Sequence, residues 1–203
     1  MRIIEEPRAP NPRRVRIFLA EKGISVPSEP ISINKHEHKS DAFRRINPLQ
    51  QVPALVLDDG SVITESVAIC RYFEELQPEP PLFGVGARER ADVEMWSRRV
   101  EHGLFQAVAH CFRHLHPMMA ELEKPQVPAW GEINRERARE FLTLIDAELA
   151  GREFLAGPRY SIADITLLVA IDFMKPAKVE RPAGLAQLDR WYAQVSTRPS
   201  AKG

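Results

Sequence analysis

Gln51-Val52-Pro53-Ala54-Leu55, followed after a short turn by Thr64-Glu65-Ser66, holds the residues in this chain best suited to chemistry. A proline at the entrance of a strand donates no backbone hydrogen bond, and a cis bond before it turns the chain sharply. The residue before it, Val52, is pushed into an extended conformation. Its N–H and C=O are then free to pair with a peptide. Ser66 opens a helical pattern, and a hydroxyl beside the unpaired N–H groups of a helix start suits a carboxylate. Extended backbone next to such a helix start predicts a short peptide ligand with an acidic end.

Several elements must position these residues. Arg2-Ile3-Ile4 reads as a first strand, and Pro7 to Pro12 as a proline-rich loop. A helix is expected from Pro12 to Lys22, stopped by Gly23. Ile31-Ser32-Ile33 alternates as a second strand, and Ser40 to Ile46 reads as a short helix. Ala54 to Leu57 and Val62 to Thr64 form a hairpin around Asp58-Asp59-Gly60, and Ser66 to Leu76 is a helix. This β-α-β-α-β-β-α order predicts a thioredoxin-like α/β domain over 1–77. Pro78-Glu79-Pro80-Pro81 marks a linker over 78–86. Residues 87–203 read as an all-α helical domain, with helices over 87–123 (interrupted near Pro117), 133–149, 162–173 and 185–195. The 162–173 helix is apolar almost all round and so belongs in a core. Ser161-Ile162-Ala163-Asp164 is a capping-box variant with a structural role.

Composition narrows the function. The 203 residues carry 28 Lys plus Arg against 28 Asp plus Glu. A zero net charge without a basic block argues against a partner held by nucleic-acid phosphates. No apolar stretch approaches the roughly 20 residues of a membrane span, and the start, Met1 to Glu6, has no signal-peptide core. Cys70 and Cys111 lie far apart and make no metal or redox spacing; a reduced cytoplasm is the expected location. His110 and His114 stand at i, i+4, but no nearby carboxylate completes a metal motif. No metal is expected.

The segment from His36 through Tyr72 resembles the glutathione-binding half of cytosolic glutathione S-transferases, bacterial type. His38-Lys39-Ser40-Asp41-Ala42-Phe43, Asn47-Pro48, Gln51-Val52-Pro53-Ala54-Leu55 and Thr64-Glu65-Ser66-Val67-Ala68-Ile69 carry the resemblance. It implies the fold of that family, a thioredoxin-like domain followed by a helical one. It also implies glutathione as co-substrate with no permanently bound cofactor, a small hydrophobic electrophile as second substrate, and a homodimer. By the same resemblance, the Val52 backbone pairs with the cysteinyl part of glutathione. Glu65 takes the γ-glutamyl ammonium, and Ser66 its carboxylate. His38 resembles a theta-class histidine near the glycyl carboxylate, which Gln51 also serves. The electrophile is expected against the long helix after the linker, lined by Phe105, Val108, Ala109 and Phe112, with Ala9.

Thiol activation is the remaining task. A free thiol near pKa 8.5 is mostly protonated at neutral pH, and a donor aimed at sulfur favours the thiolate. Relatives place a Tyr, Ser or Cys in the loop after the first strand or at the next helix start. Here that segment is Glu6-Pro7-Arg8-Ala9-Pro10-Asn11-Pro12-Arg13-Arg14. The theta-class serine falls opposite Pro10, and Asn11 falls where transferases similar to the nu class use an asparagine. Asn11 either donates its amide to sulfur or caps the helix. Three activities fit: conjugation of an electrophile, glutathione-dependent reduction of a disulfide or peroxide, or ligand binding without catalysis.

Overall fold

The computed structural model describes residues 1–203. The chain divides into two compact units, Met1–Pro81 with Pro199–Gly203, and Leu82–Arg198.

In the first unit the order is β1 (Arg2–Glu5), α1 (Pro10–Lys22), β2 (Ser28–Pro30), α2 (Asp41–Ile46), β3 (Ala54–Val56), β4 (Val62–Thr64) and α3 (Ser66–Leu76). The four strands form one mixed sheet in the order β2-β1-β3-β4. β1 runs parallel to β2 and antiparallel to β3, and β3 and β4 form a hairpin. Alternation along the strands serves both faces. Ile4, Ala54 and Val56 pack with Phe43 of α2 on one side. Ile3 and Leu55 point the other way and are also buried, as are Val15, Phe18 and Leu19 of α1 and Ile69 and Phe73 of α3. Each fully buried side chain of this size stabilises the fold by about 1.5–3 kcal/mol. Lys22 is also buried; its Nζ pairs with Glu74 at 2.5 Å and donates to the carbonyls of Gln77, Pro78 and Pro80. This cation satisfies the carbonyl of the residue that caps α3 and two carbonyls of the segment after it.

Three expectations need correction here. Helix α1 begins at Pro10, not Pro12. Proline fits the first helical turn, where no intrahelical N–H is required, so the proline-rich stretch is partly helix. The second strand is Ser28–Pro30 rather than Ile31–Ile33. As an edge strand it tolerates Pro30, while Ile31 packs against the core from the strand's end. Finally, the last five residues belong with the first unit. Arg13 donates to the carbonyls of Ala201 (2.9 Å) and Gly203 (3.2 Å), and Ser200 bonds Glu21.

The second unit is helical: α4 (Gly86–Val100), a π-helical turn over Glu101–Phe105, α5 (Gln106–Leu115), α6 (Pro128–Glu148), α7 (Ile162–Met174) and α8 (Ala186–Ser196). The long helix expected to reach 123 stops at Leu115, and Pro117 opens a 3-10 turn. α6 starts five residues before the expected Ile133, because Pro128 suits a first turn. Gly103 lies against Phe141 of α6; a Cβ there would meet the ring at 2.2 Å. A Cβ at Gly131 would meet the Leu115 side chain at 2.5 Å. Both glycines let the helices approach. α7 is the core helix, and the capping box at its start is present. Asp164 there accepts from Leu155 N–H (2.9 Å), Ser161 N–H (3.0 Å), the Ser161 hydroxyl (3.0 Å) and Trp191 Nε1 (2.9 Å). Burial pushes its carboxyl above the usual range, and these four bonds pull the other way. No helix is long and apolar enough to cross a membrane.

Candidate functional site

Sheet register gathers the candidate residues of the first unit. Ala54 pairs with Ile4 on one side and Thr64 on the other. The residues before Ala54, those after Thr64 and those after Glu5 therefore leave the sheet at one end. β2 runs parallel to β1, with Pro30 opposite Glu5, so the segment after Pro30 leaves there too. Val52, Glu65, Ser66, the start of α1 and the turn carrying His38 all follow or precede this edge. The Glu6 carboxylate joins two of these segments by accepting from Ile33 N–H at 3.1 Å.

Each residue is set locally. The Val52–Pro53 bond is cis. Val52 is half-buried and precedes β3, so its backbone stays outside the ladder. Asn47, itself buried, fixes this loop from beneath. Its Nδ2 donates to the Gln51 carbonyl at 2.7 Å, and its Oδ1 accepts from Leu49 N–H at 3.0 Å. The Gln51 side chain is exposed. Asn47 was not among the expected site residues; the Asn47-Pro48 pair was its only signal.

Glu65 has φ +65° and ψ 116°. A non-glycine residue held there costs of order 1–3 kcal/mol, and such residues gather at functional sites. Its side chain is exposed. The Glu65 carbonyl accepts the first bond of α3, from Ile69 N–H at 2.9 Å. Ser66 is the first helical residue and 5% exposed. Its Oγ accepts from Arg14 Nη1 at 2.9 Å.

His38 lies in a 3-10 turn over Glu37–Lys39. It is 6% exposed, and its Nδ1 is buried without a hydrogen-bond partner. Burial first, then the charges of Lys39 and His36, hold its pKa below the ordinary histidine value. At neutral pH the ring is uncharged and offers one N–H.

Asn11 does not cap α1. The cap position is Ala9, which is half-buried and has no side-chain cap bond. Asn11 stands one residue inside, between Pro10 and Pro12. Of the first three helical positions only Asn11 has a backbone N–H. Its amide and its N–H are therefore the donors that the positive end of this helix offers.

In the second unit Phe105 and Phe112 both pack against Phe173 of α7, with centroids 6.1 and 5.3 Å apart. Ala109 and Phe112 are half-buried, and Phe105 is nearly covered. Val108 departs from the expectation of a pocket wall: it is fully buried and serves as core. Two concavities of this unit, about 460 and 710 Å3, are lined by other residues, including His110 and Trp130 in the first and Lys175 and Tyr192 in the second. His114 Nδ1 accepts from Val127 N–H at 3.1 Å, so that nitrogen is occupied. Cys70 and Cys111 are free and buried, and burial raises both thiols, Cys111 to about 11.

Comparison with known proteins shows the family. Residues 9–76 match the model of the glutathione S-transferase N-terminal domain, and residues 128–194 that of the C-terminal domain. The chain is 36% identical over 205 residues to glutathione S-transferase 2 of Saccharomyces cerevisiae, covering 100% of this chain and 88% of the relative. A crystal structure of a glutathione S-transferase domain-containing protein from Marinobacter aquaeolei superposes with a TM-score of 0.95 at 40% identity, covering 98% of this chain and 99% of that one. Gtt2 from Saccharomyces cerevisiae gives the same TM-score at 36% identity, with 100% and 99% covered. The chain belongs to the glutathione S-transferase family. It is a glutathione transferase, and glutathione is its co-substrate.

Proposed function

We propose that the chain ionises the glutathione thiol at the start of α1 and directs the thiolate at a hydrophobic electrophile. Asn11 is the residue assigned to the sulfur, through its side-chain amide, its backbone N–H or both. Val52 pairs its backbone with the cysteinyl unit. Glu65 takes the γ-glutamyl ammonium, and Ser66 its carboxylate. Neutral His38 and the Gln51 amide serve the glycyl carboxylate. The observation that supports this reading is the register, by which the segments that hold these six residues leave the sheet at one end.

The chemistry is a displacement or addition at carbon. The thiol proton leaves to solvent and the sulfur lone pair forms the new bond; in a displacement the leaving group departs with its bonding pair, and in an addition the pair of the attacked π bond shifts to the neighbouring atom, which takes a proton from solvent. Asn11 favours the charged sulfur before attack and orients it. Phe105, Ala109 and Phe112 are proposed to meet the electrophile. The finer kinship is with bacterial members: a theta-like binding segment and a nu-like asparagine. Homodimeric assembly and a cytoplasmic location belong to this reading, the latter supported by two free thiols. The proposed domain roles are 1–77 for glutathione, 78–86 as linker and 87–203, without the 199–203 tail that joins the first unit, for the electrophile.

The test compares the native chain with Asn11→Ala, using glutathione with an aryl halide and with a small disulfide. Turnover of the halide that falls in the variant supports this reading. Turnover of the disulfide alone replaces conjugation with reduction. Unchanged rates remove Asn11 from the site.

A further inference from the structure

Arg14 is fully buried, yet it stands one turn into a helix whose start serves the proposed thiol site. A buried guanidinium is costly unless its donors are used. One use is explicit: Nη1 donates to Ser66 Oγ at 2.9 Å. A serine hydroxyl has one proton and two lone pairs. With Arg14 occupying a lone pair, the Ser66 proton must point elsewhere. Ser66 is the first helical residue, and the bond its hydroxyl makes is to Arg14 of α1 rather than to its own helix. The proton is thus left for an acceptor arriving at the start of α3, where the N–H groups of Ser66 and Val67 have no intrahelical partner. The positive charge lies on the protein side of the same oxygen. Cys70, one turn further along α3, also feels it: Arg14 pulls that thiol down against burial.

We infer that Arg14 is a positioning residue for glutathione, acting through Ser66. It fixes the hydroxyl as a donor and places a buried positive charge behind it, so that α3 selects a ligand bearing the γ-glutamyl carboxylate. The inference rests on the reading of Ser66 as the carboxylate contact. Arg14 touches no substrate and takes no part in bond making. Its effect falls on affinity for one group of one ligand.

The test uses the full chain and two ligands: glutathione and γ-aminobutyryl-cysteinylglycine, which is glutathione without the γ-glutamyl carboxylate. Dissociation constants are measured by calorimetry, and KM and kcat with saturating aryl halide. The variants are Arg14→Met, Arg14→Lys, Ser66→Ala and the double variant Arg14→Met with Ser66→Ala. Arg14→Met is expected to raise the glutathione Kd and KM by roughly tenfold. The analogue's Kd and the kcat should stay near native values, and the double variant should be little worse than Ser66→Ala. Arg14→Lys keeps the cation without the fork, and a partial rescue is expected. This variant also carries the test should Arg14→Met not fold, again by weakening glutathione but not the analogue. A merely structural role weakens both ligands alike, or adds its full effect on top of Ser66→Ala; either result overturns the inference while leaving Ser66 in place. If Ser66→Ala does not change the preference for glutathione over the analogue, the reading of Ser66 fails, and the inference with it.

Discussion

Asn11 and His38 carry the residue-level chemistry, and each has a distinct signature. Asn11 has Pro10 and Pro12 as neighbours, so replacing its side chain leaves one backbone donor and no substitute amide. Asn11→Ala is expected to raise the pKa of bound glutathione by about one unit and to lower kcat roughly tenfold below that pKa. Ultraviolet absorbance of the bound thiolate across pH reads the first, and steady-state turnover the second. An unmoved thiolate titration assigns the sulfur to another donor. His38 is neutral at pH 7 because burial lowers its pKa. A carboxylate beside it favours the protonated ring and raises its pKa in the complex, so ligand binding takes up a proton at pH values between that raised pKa and the lowered pKa of the free protein. S-methylglutathione has no titrating thiol. Its affinity should strengthen about threefold between pH 7.5 and 6, and His38→Gln should abolish the slope. The same shift has a stability sign. A histidine with a depressed folded pKa favours the unfolded chain once pH drops below its unfolded value, near 6.5. The free protein should therefore lose stability on acidification below that pH until the folded pKa is passed.

Among the elements, α7 depends on its first turn. Asp164 collects four donors from three residues, two of them distant in sequence. Ser161→Ala removes the hydroxyl that caps the helix and should cost about 1–2 kcal/mol. Asp164→Ala leaves the Leu155 and Ser161 N–H groups and the Trp191 indole unpaired in the core. Its expected cost is roughly 3 kcal/mol or more, read by chemical denaturation. A cost equal to that of Ser161→Ala would mean that the bonds to Leu155 and Trp191 contribute nothing. The contact of α6 with the π-helical turn is set by volume. Gly103→Ala puts a methyl group into the Phe141 ring and should destabilise by about 1–3 kcal/mol.

For the whole molecule, the C-terminal tail is the feature that local reasoning does not reach. Removing residues 199–203 takes away the carbonyl partners of Arg13 and the hydroxyl partner of Glu21. Faster amide exchange in α1 is expected, with a stability loss of roughly 1–3 kcal/mol. Unchanged exchange would make the tail incidental. Much of this protein was legible in its residues. Val52-Pro53, the Asp58-Asp59-Gly60 turn, Glu65-Ser66 and the Ser161–Asp164 box are local devices, each acting within a few positions, so their types and spacing suffice to place them. Hydrophobic periodicity likewise marked the helices, with ends displaced where proline opens a helix rather than excluding one. Tertiary structure alone decided the rest. Strand register made four separated segments leave the sheet at one end, burial turned Val108 into core, and the depth of His38 lowered its pKa. The packing of α1 on α3 put a guanidinium behind Ser66. Register, burial and buried charge depend on contacts between distant segments, and no short stretch of sequence contains both partners.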